Sequence, residues 1–316
     1  MNYKEISKKL ETVSAINMLP FDELTKDINW EGLKENIHFL LNHGAEVIVP
    51  NGNTGEFYAL TLQEAKAVNK KVVELVDGQA TVVSGIGYSV DTAIELGEAA
   101  DRDGADCVMI HQPIHPYITN KGAVIYFKKI IESLNLPSII YFKDPDLSDE
   151  VIKELAPLEK LVGVKYAIND LPRLTKVIRD VPKEHNIAWI CGTAEKWAPF
   201  FHNSGTVGFT SGLINVHPEK CFEMLHALRN EDHAKVWEVW EEILAFEDLR
   251  SKYNNGNNVV VIKETMEQLG MLGGVTREPV SPLNEIDKQE VSQIIHEWKS
   301  TMQPASMNHY LLNTVD

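Results

Sequence analysis

Two junctions decide how this chain folds: "HGAEVIVP" at residues 43–50 and "DGADCVMI" at residues 103–110. Each closes an amphipathic run with a glycine, Gly44 or Gly104, placed where a residue of positive φ ends a helix. Each then passes through alanine and an acid into a short apolar run. Such runs read as strands buried on both faces, as in a parallel sheet covered by helices. Both junctions are therefore hand-overs from helix to strand, and the fold depends on how often the chain repeats them.

Working outward, the alternation occurs eight times. "TVSAINML" (12–19) precedes the helical "WEGLKENIHFLLNHG" (30–44), and "AEVIVP" precedes "TLQEAKAVNKKVVELV" (61–76). "ATVVSGI", "ADCVMIH", "PSIIYF", "LVGVKY", "IAWICG" and "TVGFTSG" each lead in the same way into an amphipathic segment, the last being "HPEKCFEMLHALRNE" (217–231). Eight unbroken βα units predict an α/β protein of the (β/α)8 TIM-barrel class rather than an open doubly wound sheet. The barrel is expected over residues 1–232. Residues 233–302 read as an appended helical extension and 303–316 as a tail. In the extension, Trp237, Trp240, Leu244 and Phe246 are expected to pack on the barrel or on a neighbouring subunit.

Composition narrows the function. The 316 residues are 44% hydrophobic, enough for a large core, and carry a formal net charge of −16. That charge argues against nucleic acid and against anionic membranes as partners. Cys107, Cys191 and Cys221 are scattered without CxxC spacing and read as small core residues. The charged start "MNYKEISKKL" has no apolar leader segment, and no stretch is long enough to span a membrane, so a cytoplasmic protein is expected.

In such barrels the working groups lie at the carboxyl ends of the strands. Those ends supply "NGNTGEFYALT" after the second strand, "HQPIHPY" after the fourth and Tyr141 with "FKDPD" after the fifth. Lys165 ends the sixth, Gly192 and Thr193 follow the seventh, and Thr210 and Ser211 end the eighth. Lys165 thus faces the barrel mouth, where two readings stand. It is half of an ion pair, with Glu56 or a strand-mouth aspartate, or it is an amine nucleophile whose pKa burial lowers. Tyr141 would bring a phenol within reach as a proton shuttle, and "GNTG" would bind a carboxylate through backbone N–H groups and the Thr54 hydroxyl. Other motifs fail: "GIGYSV" lacks the third glycine of a dinucleotide fingerprint, and Pro113 keeps His111 and His115 off one helical face. No carboxylate cluster has metal-ligand spacing.

From about Val13 to Ile294 the chain resembles the dihydrodipicolinate synthase and N-acetylneuraminate lyase superfamily of Schiff-base barrels. The resemblance rests on "NGNTGEFYALT", the strand-5 "IIY", "LVGVKYAIND", "GFTSGLINVHPE" and "PVSPL". It implies a homotetramer or dimer without metal or organic cofactor, acting on a small 2-oxo acid. It implies Lys165 as the imine-forming nucleophile, Tyr141 as proton relay with Thr54, and Asn53, Thr54 and Gly55 as carboxylate holders. Glu56, Lys143, Gly192 and Thr210 fall in the same pocket segments. Departures bear on the reaction. Asn53 replaces the first threonine of the synthase loop, and Lys143 stands near the place of an arginine that clamps the aldehyde substrate. His115, with Tyr117 beside it, falls where the synthases lend a tyrosine from a neighbouring subunit. "NTGEFYALT", "GIGYSVDTAIELGEAA" and "YFKD" are closer to the 5-dehydro-4-deoxyglucarate dehydratase branch. A dehydratase or aldolase on a keto-deoxy sugar acid is therefore expected first. A dihydrodipicolinate synthase condensing pyruvate with aspartate semialdehyde is the alternative. A barrel that only binds a keto acid is a third reading, against which the retained Lys165 and Tyr141 argue.

Overall fold

A computed structural model describes residues 2–301. Eight parallel strands close into one barrel in sequence order: β1 (Val13–Ala15), β2 (Val47–Ile48), β3 (Thr81–Ile86), β4 (Cys107–Ile110), β5 (Ser138–Phe142), β6 (Leu161–Tyr166), β7 (Ala188–Cys191) and β8 (Gly208–Ser211). The crossover helices are α2 (Trp30–Asn42), α3 (Leu62–Val76), α4 (Val90–Asp103), α5 (Asn120–Ser133), α6 (Glu150–Leu155), α7 (Leu171–Asp180), α8 (Ala198–Ser204) and α9 (Pro218–Arg229). The (β/α)8 expectation holds. Among the described residues no helix is long and apolar enough to cross a membrane.

Local chemistry sets the helix starts. Asn29, Ser89, Thr119 and Asp170 each accept a backbone N–H of the first turn, and Thr61 forms a reciprocal capping box with Glu64. These satisfy donors that a helix N-terminus otherwise leaves unpaired. Gly44 and Gly104 have φ of 82° and 94°, as their place after a helix requires.

Side chains sort into two layers. Ile16, Val47, Val83, Met109, Ile139 and Ile190 point into the barrel, while Ile48, Val82, Val108, Ile140, Val164 and Phe209 belong to the layer between strands and helices. The barrel's lower opening is closed by a helix the sequence reading did not contain, α1 (Tyr3–Lys9), whose Ile6, with the following Leu10, joins the interior cluster. Seven residues with one apolar side chain facing in are too short for periodicity to reveal.

One irregularity matters for the site. Between β5 and β6 the register steps from Ser138↔Leu161 to Ile139↔Gly163, leaving Val162 as an extra residue. Val162 points inward, yet Val164 and Tyr166 point outward. Strict alternation from Val162 would have put Val164 inside and Lys165 outside. The bulge reverses that phase and turns Lys165 into the barrel.

Three more helices follow: α10 (His233–Asn255), α11 (Asn258–Gln268) and α12 (Glu285–Thr301). They pack on the barrel as expected. Phe246 is fully buried, Trp240 Nε1 donates to the Lys196 carbonyl at 2.9 Å, and Trp237 is 42% exposed at the edge of Phe200. Regular helix stops before Lys252: Tyr253, Asn254 and Asn255 follow in the left-handed region, with φ of 55°, 56° and 66°. The expected tail at 303–316 lies outside the described residues.

Candidate active site

A cavity of about 570 Å³ opens at the carboxyl ends of the strands, within the usual range for a small-molecule site. Asn53, Thr54, Tyr141, Lys143, Lys165, Gly192 and Thr210, seven of the residues singled out from sequence, line it together.

Lys165 is 4% exposed, and its Nζ lies 4.1 Å from the centroid of the Tyr141 ring. The register pairs Tyr141 with Lys165 directly across β5 and β6. Burial, reinforced by the like charge of Lys143, lowers the Lys165 amine to about 7. The aromatic face attracts an ammonium, but desolvation outweighs that attraction here. The ion-pair alternative fails: Glu56 instead pairs with Lys263, Nζ to Oε1 at 2.6 Å. Among the described residues no carboxylate forms an ion pair with Lys165. Tyr141 is pushed up to about 12 by burial, against the opposing hydrogen bond of the Asn53 side chain, and is a neutral phenol at physiological pH.

The neighbours of Lys165 are chosen for space. A Cβ at Gly192 would meet the Ala167 Cβ at 2.8 Å, the Tyr166 carbonyl at 2.9 Å and the Lys165 Cγ at 3.0 Å, so only glycine lets the lysine stem pass. Thr210 Oγ1 donates to the Cys191 carbonyl at 3.3 Å, tying β8 to β7. Asn53 Oδ1 is buried without a hydrogen-bond partner on the cavity wall. His111 stacks on Phe57 at 4.5 Å, and burial lowers it to about 3, so it is a neutral ring beside the site.

Three of the expected residues are placed elsewhere. Glu56 lies behind the cavity, in the left-handed region at φ 56°, where its Oε2 accepts the Arg277 backbone N–H at 3.0 Å. With Lys263, it anchors the 53–55 loop to the helical extension. Gly55 packs against the Asn17 carbonyl, which a Cβ there would approach to 3.0 Å. His115 is exposed and accepts the Tyr117 N–H at 3.1 Å; neither residue reaches the cavity of its own chain.

The extension supplies walls that sequence reasoning missed. Arg250, at 3% exposure, and Glu247 line the cavity from α10, joined by Ser251, Asn255 and Asn258 from the α10–α11 junction. The only hint in the sequence was "SKYNNGNN", whose asparagines and glycine favour left-handed turns. Glu195, in the loop after β7, is fully buried behind this wall; its Oε2 has no donor and its Oε1 accepts from the Cys221 thiol at 3.3 Å. Burial, then the negative charge of Glu247, raises Glu195 to about 7.

Taken together, a chain of net charge −16 gathers Lys143, Lys165, Lys196 and Arg250, against one carboxylate, around one cavity. A 30% identical relative in Bacillus licheniformis, covering 94% of this chain and 96% of its own, is named probable 5-dehydro-4-deoxyglucarate dehydratase. Another at 30%, from Methanopyrus kandleri, is named 4-hydroxy-tetrahydrodipicolinate synthase; the match covers 89% of this chain and 94% of that one. The crystal structure of dihydrodipicolinate synthase from Oceanobacillus iheyensis is similar with a TM-score of 0.94 and 64% identity, over 95% of this chain and 100% of that one. The dihydrodipicolinate synthetase family model matches residues 9–298, and so the chain, built around a buried lysine at the end of its sixth strand, belongs to that family of lyases.

Proposed function

We propose that this protein is a Schiff-base lyase that breaks a bond in a keto-deoxy sugar acid, of the 5-dehydro-4-deoxyglucarate dehydratase type. The observation that carries the imine is Lys165 itself: a buried amine with no carboxylate partner among the described residues, opposite a neutral phenol, in a cavity with excess positive charge. A substantial fraction of that amine is neutral at pH 7 and free to attack a ketone carbon. The carbinolamine then loses water, with Tyr141 passing the proton, to give a protonated imine. The imine acidifies the adjacent carbon; loss of its proton leaves an enamine, whose electron pair expels the hydroxyl on the next carbon as water. Asn53 and Thr54 hold the keto acid's carboxylate, on a loop set by Gly55 and Glu56. Lys143, Gly192 and Thr210 complete the pocket. No organic cofactor is needed for this sequence of steps. A homo-oligomer, dimer or tetramer, belongs to the same proposal, with His115 and Tyr117 at a subunit contact.

The choice of a sugar acid rests on the walls. Lys143 gives a point charge where a planar guanidinium would clamp an aldehyde's carboxylate. Asn169, Thr193 and Ser251 give the cavity the amide and hydroxyl groups that hydroxylated carbons require. A second reading, dihydrodipicolinate synthase, is supported by the 64% identity to the Oceanobacillus protein of that name. Borohydride trapping with a panel of 2-oxo acids, read by peptide mass, tests the imine: an adduct on the Lys165 peptide is expected, and its absence with every acid overturns both readings. Turnover of pyruvate with aspartate semialdehyde, and none of the keto-deoxy sugar acid, would select the second.

A further inference from the structure

The α10–α11 junction carries the most unusual backbone next to the cavity. Tyr253, Asn254 and Asn255 are three successive non-glycine residues in the left-handed region. The left-handed region is sterically disfavoured for residues with a Cβ, and runs of them persist only where surrounding structure holds them. What the run achieves is a reversal of chain direction that sets Ser251, Asn255 and Asn258 on one cavity wall. The wall is donor-rich. Arg250 gives one Nη1 hydrogen to Glu247, its Nη2 reaches Asn258 Oδ1 at 3.2 Å, and its Nε reaches the Asn258 carbonyl at 3.4 Å. Five guanidinium N–H groups less these three leave two without a partner among the described residues. Because Asn258 Oδ1 is occupied, its amide nitrogen is the free end. Gly212, at the end of β8, leaves the room: a Cβ there would lie 2.6 Å from Arg250 Nη2.

A wall of free N–H groups asks for an acceptor on the ligand, and a carboxylate accepts from several at once. We propose that Arg250, Asn255 and Asn258 bind a second carboxylate of the substrate, at the end remote from the ketone, and so select 2-oxo diacids over pyruvate-sized acids. This deepens the proposed function and rests on its imine at Lys165, not on which bond is then broken. The reading end of the substrate site thus belongs to the appended helices, while the reacting end belongs to the barrel.

The test is competitive borohydride trapping of the full chain with pyruvate, with an unbranched six-carbon 2-oxo diacid, and with the six-carbon 2-oxo monoacid. Asn255→Gly removes an amide and keeps the left-handed backbone open to it; Asn255→Asp sets a negative charge in its place. Half-saturation by the diacid is expected to rise about tenfold in Asn255→Gly and further in Asn255→Asp, as for lost hydrogen bonds to a charged group. Pyruvate and monoacid half-saturation should stay within about twofold, on the additivity expected of a remote contact. Arg250→Lys, which keeps a cation for Glu247, should weaken the diacid alone. Equal effects on all three acids, or none on the diacid, overturn the inference. If the wild type traps diacids in this pattern yet turns over no sugar acid, the dehydratase reading fails and the inference stands. If nothing is trapped, the imine reading and this inference fall together.

Discussion

Lys165 and Tyr141 are register partners in adjacent parallel strands, and the amine sits 4.1 Å above the phenol ring. Fixing both on the sheet, not on loops, keeps the proposed nucleophile and its proposed proton carrier in one geometry while the loops around them vary.

The amine titrates in a useful place. With Lys165 lowered to about 7, the rate of adduct formation should climb as pH rises through that value and level off above it. Lys143→Met removes a like charge and should move the midpoint upward; stopped trapping across pH 5.5–9 measures it, as roughly the window spanning the titration. An unchanged midpoint would mean that burial alone sets the amine. Between about 7 and the ordinary lysine value the unfolded chain binds more protons than the folded one, so Lys165 lowers stability at neutral pH. Lys165→Met should therefore abolish the adduct and raise stability by on the order of 2 kcal/mol in denaturant titrations.

Tyr141→Phe keeps the ring against Lys165 and deletes the hydroxyl. Trapping should survive at slower rate, and turnover should fall by about 10²–10⁴. Loss of trapping altogether would assign the hydroxyl to binding instead.

Glu56 and Lys263 form a buried pair, each 3% exposed or less at the side chain. Removing one partner leaves an uncompensated charge, so Glu56→Gln should cost about 3–5 kcal/mol of stability. The double variant Glu56→Gln with Lys263→Met should recover most of it. Additive losses in that thermodynamic cycle would show that the two side chains do not interact.

Glu195 is raised in the folded state to about 7. Between the ordinary carboxylate value and about 7, the folded chain holds the extra proton, so stability drops as pH climbs through that window and is flat beyond it. Glu195→Gln should remove that slope, leaving the variant more stable relative to wild type at pH 8 than at pH 4.5 by about 1–3 kcal/mol. Parallel unfolding curves for the two proteins at both pH values would show that Glu195 is ionised throughout.

The barrel was legible because its signal is local: short apolar runs alternate with amphipathic segments, several handed over by a glycine such as Gly44 or Gly104, and eight repeats leave few architectures. Lys165, Tyr141 and the 53–54 loop were legible because strand ends in this fold point to the mouth. Glu56 was assigned to the substrate because its loop is; its partner, Lys263, is distant in sequence and no local pattern shows the pairing. Arg250 and Asn258 were hidden for the same reason, since a buried arginine on a helix reads as solvated until the helix is laid over the cavity. Glu195 carried no signal of its own, since it lies just ahead of α8, where acids are common.

The bulge at Val162 gives β6 something like a reading frame. Val162 is absorbed without a ladder partner, so the residues after it count their sides from Gly163, opposite Ile139. Deleting Val162 would simply remove the bulge and leave Leu161 outside, Gly163 inside, Val164 outside and Lys165 still inside, whereas deleting Val164 would send the amine among the helices with no residue substituted. An insertion in the loop that follows would shift nothing on the strand. The side taken by the lysine is therefore set by the chain length between Gly163 and Lys165, a constraint on insertions and deletions that no scan of point substitutions would expose.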